Sequence, residues 1–205
     1  MALTESGSRC FSFGEKGGND EAQAHPRRTG RADVLGLRTP AQAVTRIGDA
    51  LLSGASFDAV LLDGINRERV ARGLRPFAGD PALEHAARQA AAIMANQRIM
   101  EHEIPGTPDF PARLRAARAR ARTAGENILR DNLGRYGLGC AAVTADLPDR
   151  LAAEVARASA LRWIGSPPHL ASISNPRFKR AGAAFAIVIN EPGCGQVYVA
   201  QVFAG

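Results

Sequence analysis

Cysteine is scarce in this 205-residue chain: Cys10, Cys140 and Cys194 are the whole complement, odd in number and without a CxxC spacing. This excludes a zinc knuckle and a dense disulfide framework. It leaves either one bridge, between Cys140 and Cys194 in their glycine-flanked stretches, or three thiols. No run of about 18 or more apolar residues occurs, so no segment reads as a transmembrane helix. Residues 1–40 also lack the apolar core, about 7–15 residues long, of an export signal. Aromatic residues make up only 5% of the chain, and no stacking platform of the kind that holds single-stranded nucleic acid is visible. Lysine is almost missing, with Lys16 and Lys179 alone among 26 basic residues. The bias toward arginine in an alanine-rich chain is explained as well by genome composition as by a binding role.

What is present is ordinary globular material. Hydrophobic residues are 45% and charged residues 22%, which excludes a wholly disordered, collagenous or membrane-embedded chain. The length fits one domain with an appendage. The net charge of +6 and pI near 10.0 point first to an anionic partner such as nucleic acid or a membrane surface. The charge is local, however, because Arg113, Arg115, Arg118, Arg120 and Arg122 fall within ten residues that contain no acid. That segment reads as an amphipathic helix whose arginines flank an inward stripe of Leu114, Ala117 and Ala121, or as an anion-binding surface. Without a groove-reading motif beside it, nucleic acid is the weaker partner.

Residues 1–40 are rich in Gly, Ser, Asp, Glu and Arg without a period and read as a flexible arm. Residues 41–56 form a short amphipathic lead-in, and residues 57–205 form the folded domain. The spacing of Val60, Leu61, Gly64, Ile65 and Val70 predicts a first helix with Gly73 as its C-cap. Asp80-Pro81 predicts the start of a second helix running to about Ile99. Pro105, Pro108 and Pro111 mark a loop, with Pro111 opening a third helix through Arg122. A fourth helix is expected from Leu147 to Ile164, stopped by Pro167-Pro168. Residues 183–189 and 196–203 alternate as two strands of a terminal hairpin. Helices followed by a hairpin make the class α+β.

Of four histidines, His25 lies in the arm and His85 beside Glu84 on the second helix, both in bland settings. His102 follows the second helix, and His169 follows Ser166-Pro167-Pro168; both stand at helix ends, where loops converge on clefts. Between them lies Gly125-Glu126-Asn127-Ile128, a carboxylate after a glycine turn. Two imidazoles and a carboxylate suit zinc with an open position, although no HExxH-type local motif is present. Trp163 reads as a core anchor, and Asn66 and Arg69 as residues that fix the first helix.

The ordered set Ile65-Asn66-Arg67-Glu68-Arg69, Gly73-Leu74-Arg75-Pro76-Phe77, Asp80-Pro81-Ala82-Leu83, His102, Gly125-Glu126-Asn127-Ile128, Trp163 with Ser166-Pro167 and His169, then Asn175-Pro176, Phe178, Gly182 and Tyr198 to Phe203, resembles bacterial members of the CAP superfamily, the SCP domain of cysteine-rich secretory, antigen and pathogenesis-related proteins. The resemblance implies a three-layer α-β-α sandwich with a small antiparallel sheet. It also implies a cleft that gathers two histidines and two acidic residues, often around zinc. Carried over by motif, His102, His169 and Glu126 are the metal-ligand candidates, with Asn127 and Ser166 lining the cleft. Ser166 occupies the position three after the helix tryptophan where eukaryotic members place a second glutamate, and Glu154 is too far upstream to replace it.

The resemblance implies a non-enzymatic binding module whose cleft holds zinc, or else a hydrogen-bonded polar cluster, and takes a lipid or another small ligand. One rival is a metal-dependent, peptidase-like hydrolase in which Glu126, with His102 and His169, acts on zinc-bound water. The other is an anion-binding module built on residues 113–122. The family is mainly secreted, and the resemblance implies an extracellular location for a chain that shows no leader.

Overall fold

The computed structural model describes residues 8–12, 45–47, 57–136, 149–190 and 194–205. Cys140, the side chain of Cys194, His25 and most of residues 1–56 lie outside the described residues, and with them the expected disulfide and most of the expected arm and lead-in, of which residues 8–12 and 45–47 are strands of the sheet. Each sequence-predicted helix has a visible physical cause. Helix α1 (Phe57–Ala71) buries Phe57, Leu61, Leu62 and Ile65, while Val70 faces outward. Gly73 closes it in a left-handed conformation, φ 72°, that a side chain would strain. Helix α2 (Pro81–Gln97) starts where the Asp80 carboxylate accepts the Ala82 N–H, with Pro81 at the first position, where no backbone N–H is needed.

Helix α3 (Phe110–Ala116) begins under the Asp109 cap and is shorter than expected. It stops because Arg118 turns left-handed, φ 56°, while the Ala119 N–H returns to the Leu114 carbonyl. Residues 117–122 are therefore not helical. Helix α4 (Asp149–Ile164) matches the fourth expected helix. Pro167-Pro168 does not merely stop it: the two prolines open a further helix, α5 (Pro167–Ile173), with Ser166 at its N-cap. His169 thus sits in the first turn of a helix rather than in a loop.

The expected glycine turn at Gly125 is instead the interior of a strand. The strands are β1 (Ser8–Ser12), β2 (Thr45–Ile47), β3 (Ala78–Gly79), β4 (Thr123–Asn132), β5 (Arg180–Asn190) and β6 (Cys194–Ala204). They form one sheet in the order β1-β4-β6-β5-β2, and β3 adds a short parallel pairing to β5. The sheet is thus mixed and larger than the terminal hairpin alone. β1 and β2 lie at its two ends, antiparallel to β4 and β5 respectively.

Alternation along the strands builds the two cores of an α-β-α sandwich. Leu129, Ala181, Ala183, Phe185, Ile187, Val197, Val199 and Phe203 face α1, α4 and α5. Ala124, Ile128, Ala184, Ala186, Val188, Tyr198, Ala200 and Val202 face α2 and α3. The fully buried Trp163 lies in the first core, as a core anchor should. Asn66 exchanges two hydrogen bonds with the Phe77 backbone. The buried Arg69 donates to the carbonyls of Arg75 at 2.8 Å and Ile173 at 2.5 Å, clamping α1 to the end of α5. Gly182 is required by close approach, because an added Cβ would lie 2.1 Å from the Glu84 backbone nitrogen.

Candidate functional site

Glu126 shares a strand face with Ala124 and Ile128 and so faces α2 and α3, where it is 1% exposed. Its Oε2 lies 2.9 Å from His102 Nδ1. An ionised carboxylate only accepts, so the His102 ring carries a proton on Nδ1 and donates it to Glu126. Arg113 completes the cluster: its Nη2 donates to Glu126 Oε1 at 2.9 Å and to Oε2 at 3.1 Å. Its Nη1 reaches the carbonyls of Pro108 at 3.0 Å and His102 at 3.4 Å. Arg113 is 3% exposed, so the first residue of the basic segment is an internal cation rather than a surface one. Only Arg115, Arg118, Arg120 and Arg122 of that segment remain exposed.

His169 approaches from α5. Its Nδ1 lies 2.8 Å from Ser166 Oγ, and its ring centroid stands 6.2 Å from that of Trp163. Burial and the neighbouring His102 push its pKa down from 6.5 to about 4, against a hydrogen bond with the Ile128 backbone that favours the charged ring. The ring is therefore neutral at physiological pH. Asn127 points to the opposite face of the sheet from Glu126, and its Nδ2 donates to the His169 carbonyl at 3.3 Å. Opposite it in register is Gln201. Asn127 Oδ1 and both polar atoms of the Gln201 amide are buried with no hydrogen-bond partner among the described residues. Each such atom costs about 1–3 kcal/mol when left dry.

The expected residues therefore converge from three elements, though on two faces of the sheet. His85 stands exposed beside Gln89 on α2, and Glu154 is exposed on α4, so neither joins them. Sequence reasoning placed Arg113 on the surface. The signal that it lies inside was its position four residues after the Asp109 cap and one before the buried Leu114.

Zinc does not fit this donor set. Both Glu126 oxygens are engaged by a guanidinium and an imidazole N–H, and a divalent cation on that carboxylate would sit against the Arg113 charge in a low-dielectric interior. Among the described residues no three His, Cys, Asp or Glu side chains form a metal shell. Among the described residues, one cavity beside His102 and Arg113 is small, about 10 Å³, and is lined also by Ala90, Met94 and Ile104.

A much larger space lies elsewhere. Helices α1 and α4 enclose a groove of about 770 Å³, lined by Ala59, Val60, Ala71, Ala160, Leu161 and Ile164 with Arg67, Glu68 and Arg157. Leu161 is 69% exposed there. Among the described residues no helix is long and apolar enough to cross a membrane.

Comparison with solved structures places the fold. An extracellular protein containing an SCP domain from Bacillus anthracis superposes with a TM-score of 0.50 at 18% identity, over 72% of this chain and 40% of that one. An outer surface protein from Borrelia burgdorferi gives 0.47 at 15% identity, over 71% of this chain and 90% of that one. A cysteine-rich secretory protein from Staphylococcus aureus gives 0.44 at 15% identity, over 76% and 40%. The chain thus spans less than half the length of the Bacillus and Staphylococcus proteins. Comparison with curated protein sequences gives no match. The family model for the cysteine-rich secretory proteins matches residues 62–203, which carry α2 to α5 and the central strands described above; the chain belongs to the CAP, or cysteine-rich secretory protein, family.

Proposed function

We propose that this chain is a non-enzymatic binding domain that takes the alkyl chain of a single-chain lipid in the groove between α1 and α4. The observation that carries the reading is the groove of about 770 Å³ between the two helices, against about 10 Å³ in the cavity beside His102 and Arg113 among the described residues. The first figure lies in the range of small-molecule sites, about 300–1,000 Å³, and the second is too small for any organic ligand. The groove wall is apolar, as an alkyl chain requires. At its rim Arg67 is paired with Asp63 and Glu68 with Arg72. Among the described lining residues Arg157 is therefore the charge available to an acidic head group, so a long-chain fatty acid fits best. The family resemblance and the extracellular neighbour support an encounter with this ligand outside the cell.

Hydrolysis is the second reading, and the Ser166–His169 contact is what favours it. An imidazole whose conjugate acid has a pKa of about 4 is a weak base at neutral pH. Glu126 is also occupied by Arg113. Both facts favour binding over catalysis.

The test is displacement of a fluorescent fatty acid by palmitic acid, on the wild type and on Leu161→Glu. Leu161 is mostly exposed, so the substitution leaves the fold intact while placing an anion on the groove wall. Saturable binding that Leu161→Glu weakens at least about tenfold is the expected result. Binding that is absent in the wild type, or equal in both proteins, overturns the proposal.

A further inference from the structure

The Arg113 contact with Glu126 has a consequence for the metal chemistry of this cleft. The carboxylate that the family motif would offer to a cation is held by Arg113 Nη2 through both oxygens, at 2.9 and 3.1 Å, with both side chains almost wholly buried. The guanidinium is itself fixed by the carbonyls of Pro108 and His102, so it is part of the framework rather than a mobile visitor. Glu126 and Arg113 carry opposite charges and pair directly. A divalent ion would add two positive charges beside a buried guanidinium with no second carboxylate in place, since Ser166 stands at the position that would supply one.

We infer that Arg113 is the resident cation of this cleft: it takes the electrostatic role of a metal ion, makes the His102–Glu126 cluster metal-independent, and keeps divalent cations out. The corollary is a latent metal site. Removing the guanidinium frees a buried carboxylate whose Oε2 stands 2.9 Å from His102 Nδ1. An imidazole and a carboxylate are two of the ligand types zinc accepts, with water able to complete the shell. The role is one of positioning and exclusion, because Arg113 donates no proton and touches no reacting atom.

The experiment titrates zinc chloride, and in parallel cobalt(II) chloride, into the full-length wild type and Arg113→Met at neutral pH. Calorimetry gives stoichiometry, and the visible absorption of tetrahedral cobalt reports coordination that a merely structural role would not produce. The wild type is expected to take up no stoichiometric zinc and to give no cobalt band. Arg113→Met is expected to bind one ion at least about tenfold more tightly than the wild type, with the band, and to lose both when His102→Ala is added. Stoichiometric zinc on the wild type that His102→Ala abolishes overturns the inference. So does a folded Arg113→Met that gains no metal. If Arg113→Met does not fold, Arg113→Gln, which keeps hydrogen bonding to Glu126, replaces it under the same criteria, and the wild-type titration decides alone if neither variant folds.

Discussion

Replacing Glu126 with glutamine keeps the volume of the side chain and removes its charge. In the folded protein this leaves the Arg113 guanidinium buried, 3% exposed, without its counter-charge, and weakens two hydrogen bonds at 2.9 and 3.1 Å. Breaking one side of a buried ion pair costs about 3–5 kcal/mol, because the survivor keeps its desolvation penalty and loses its partner. At about 2–4 °C per kcal/mol for a chain of this length, the melting temperature should fall by about 6–20 °C. Arg113→Met should cost a similar amount by stranding the carboxylate with only His102. The double variant Arg113→Met with Glu126→Gln removes both charges and should recover part of the loss, a coupling of about 2–3 kcal/mol. Urea unfolding is a suitable assay, because the chain has a single, fully buried tryptophan, Trp163, whose fluorescence reports unfolding. Single variants within about 0.5 kcal/mol of the wild type, or strictly additive losses, would falsify the assignment of a buried, coupled pair.

Gly182→Ala should be among the most damaging single-methyl additions, because the new Cβ meets the Glu84 backbone 2.1 Å away and no side-chain rotation relieves it. A loss above about 3 kcal/mol or failure to fold is expected in a thermal melt, and a near-neutral variant would contradict the packing of α2 on β5. Two groups shifted by desolvation should tilt the pH profile in opposite directions. The His169 pKa falls from 6.5 unfolded to about 4 folded, so its contribution is full above pH 6.5 and is lost as pH drops toward 4, by at most roughly 3 kcal/mol. Burial raises Asp58 from 3.8 to about 6, so it favours the folded state at low pH and that advantage is lost as pH rises through the same window. Asp58→Asn should therefore expose a steeper rise in stability between pH 4 and 6.5 than the wild type shows, and a profile unchanged by the substitution would reject this balance. Neutralising Arg115, Arg118, Arg120 and Arg122 together should leave stability almost unchanged, as these side chains are exposed, whereas a melting shift like that of Arg113→Met would show that they too carry buried contacts.

Much of this architecture is legible in the residues. The Asp80-Pro81 cap, Gly73 and the alternation of residues 183–189 and 196–203 are local signals, and local physics places α1, α2, β5 and β6. Strand β4 was hidden because Gly125, Glu126 and Asn127 look like a turn; they are a strand only because β6 pairs along their whole length and both faces are covered by helices. Helix α5 was hidden because proline is read as a breaker, although two prolines in a first turn lose no intrahelical bond. Motif order identified His102, Glu126, Asn127, Ser166 and His169 as residues of one region. It did not show that strand alternation sends Glu126 and Asn127 to opposite faces. Arg113 was misread because its neighbours in sequence are solvated arginines, and only the fold brings Glu126, thirteen residues on, beneath it. The groove was illegible for the same reason, since α1 and α4 are separated by most of the domain.

The claim on which the account rests is that ligand binding and the histidine cluster occupy different places. A photoactivatable fatty acid, crosslinked to the wild-type protein and mapped by peptide mass spectrometry, locates the ligand directly. Labels confined to α1 and α4, competed away by palmitic acid, are the expected result. Labels on the peptides that carry His102, Arg113 and Glu126 would contradict it.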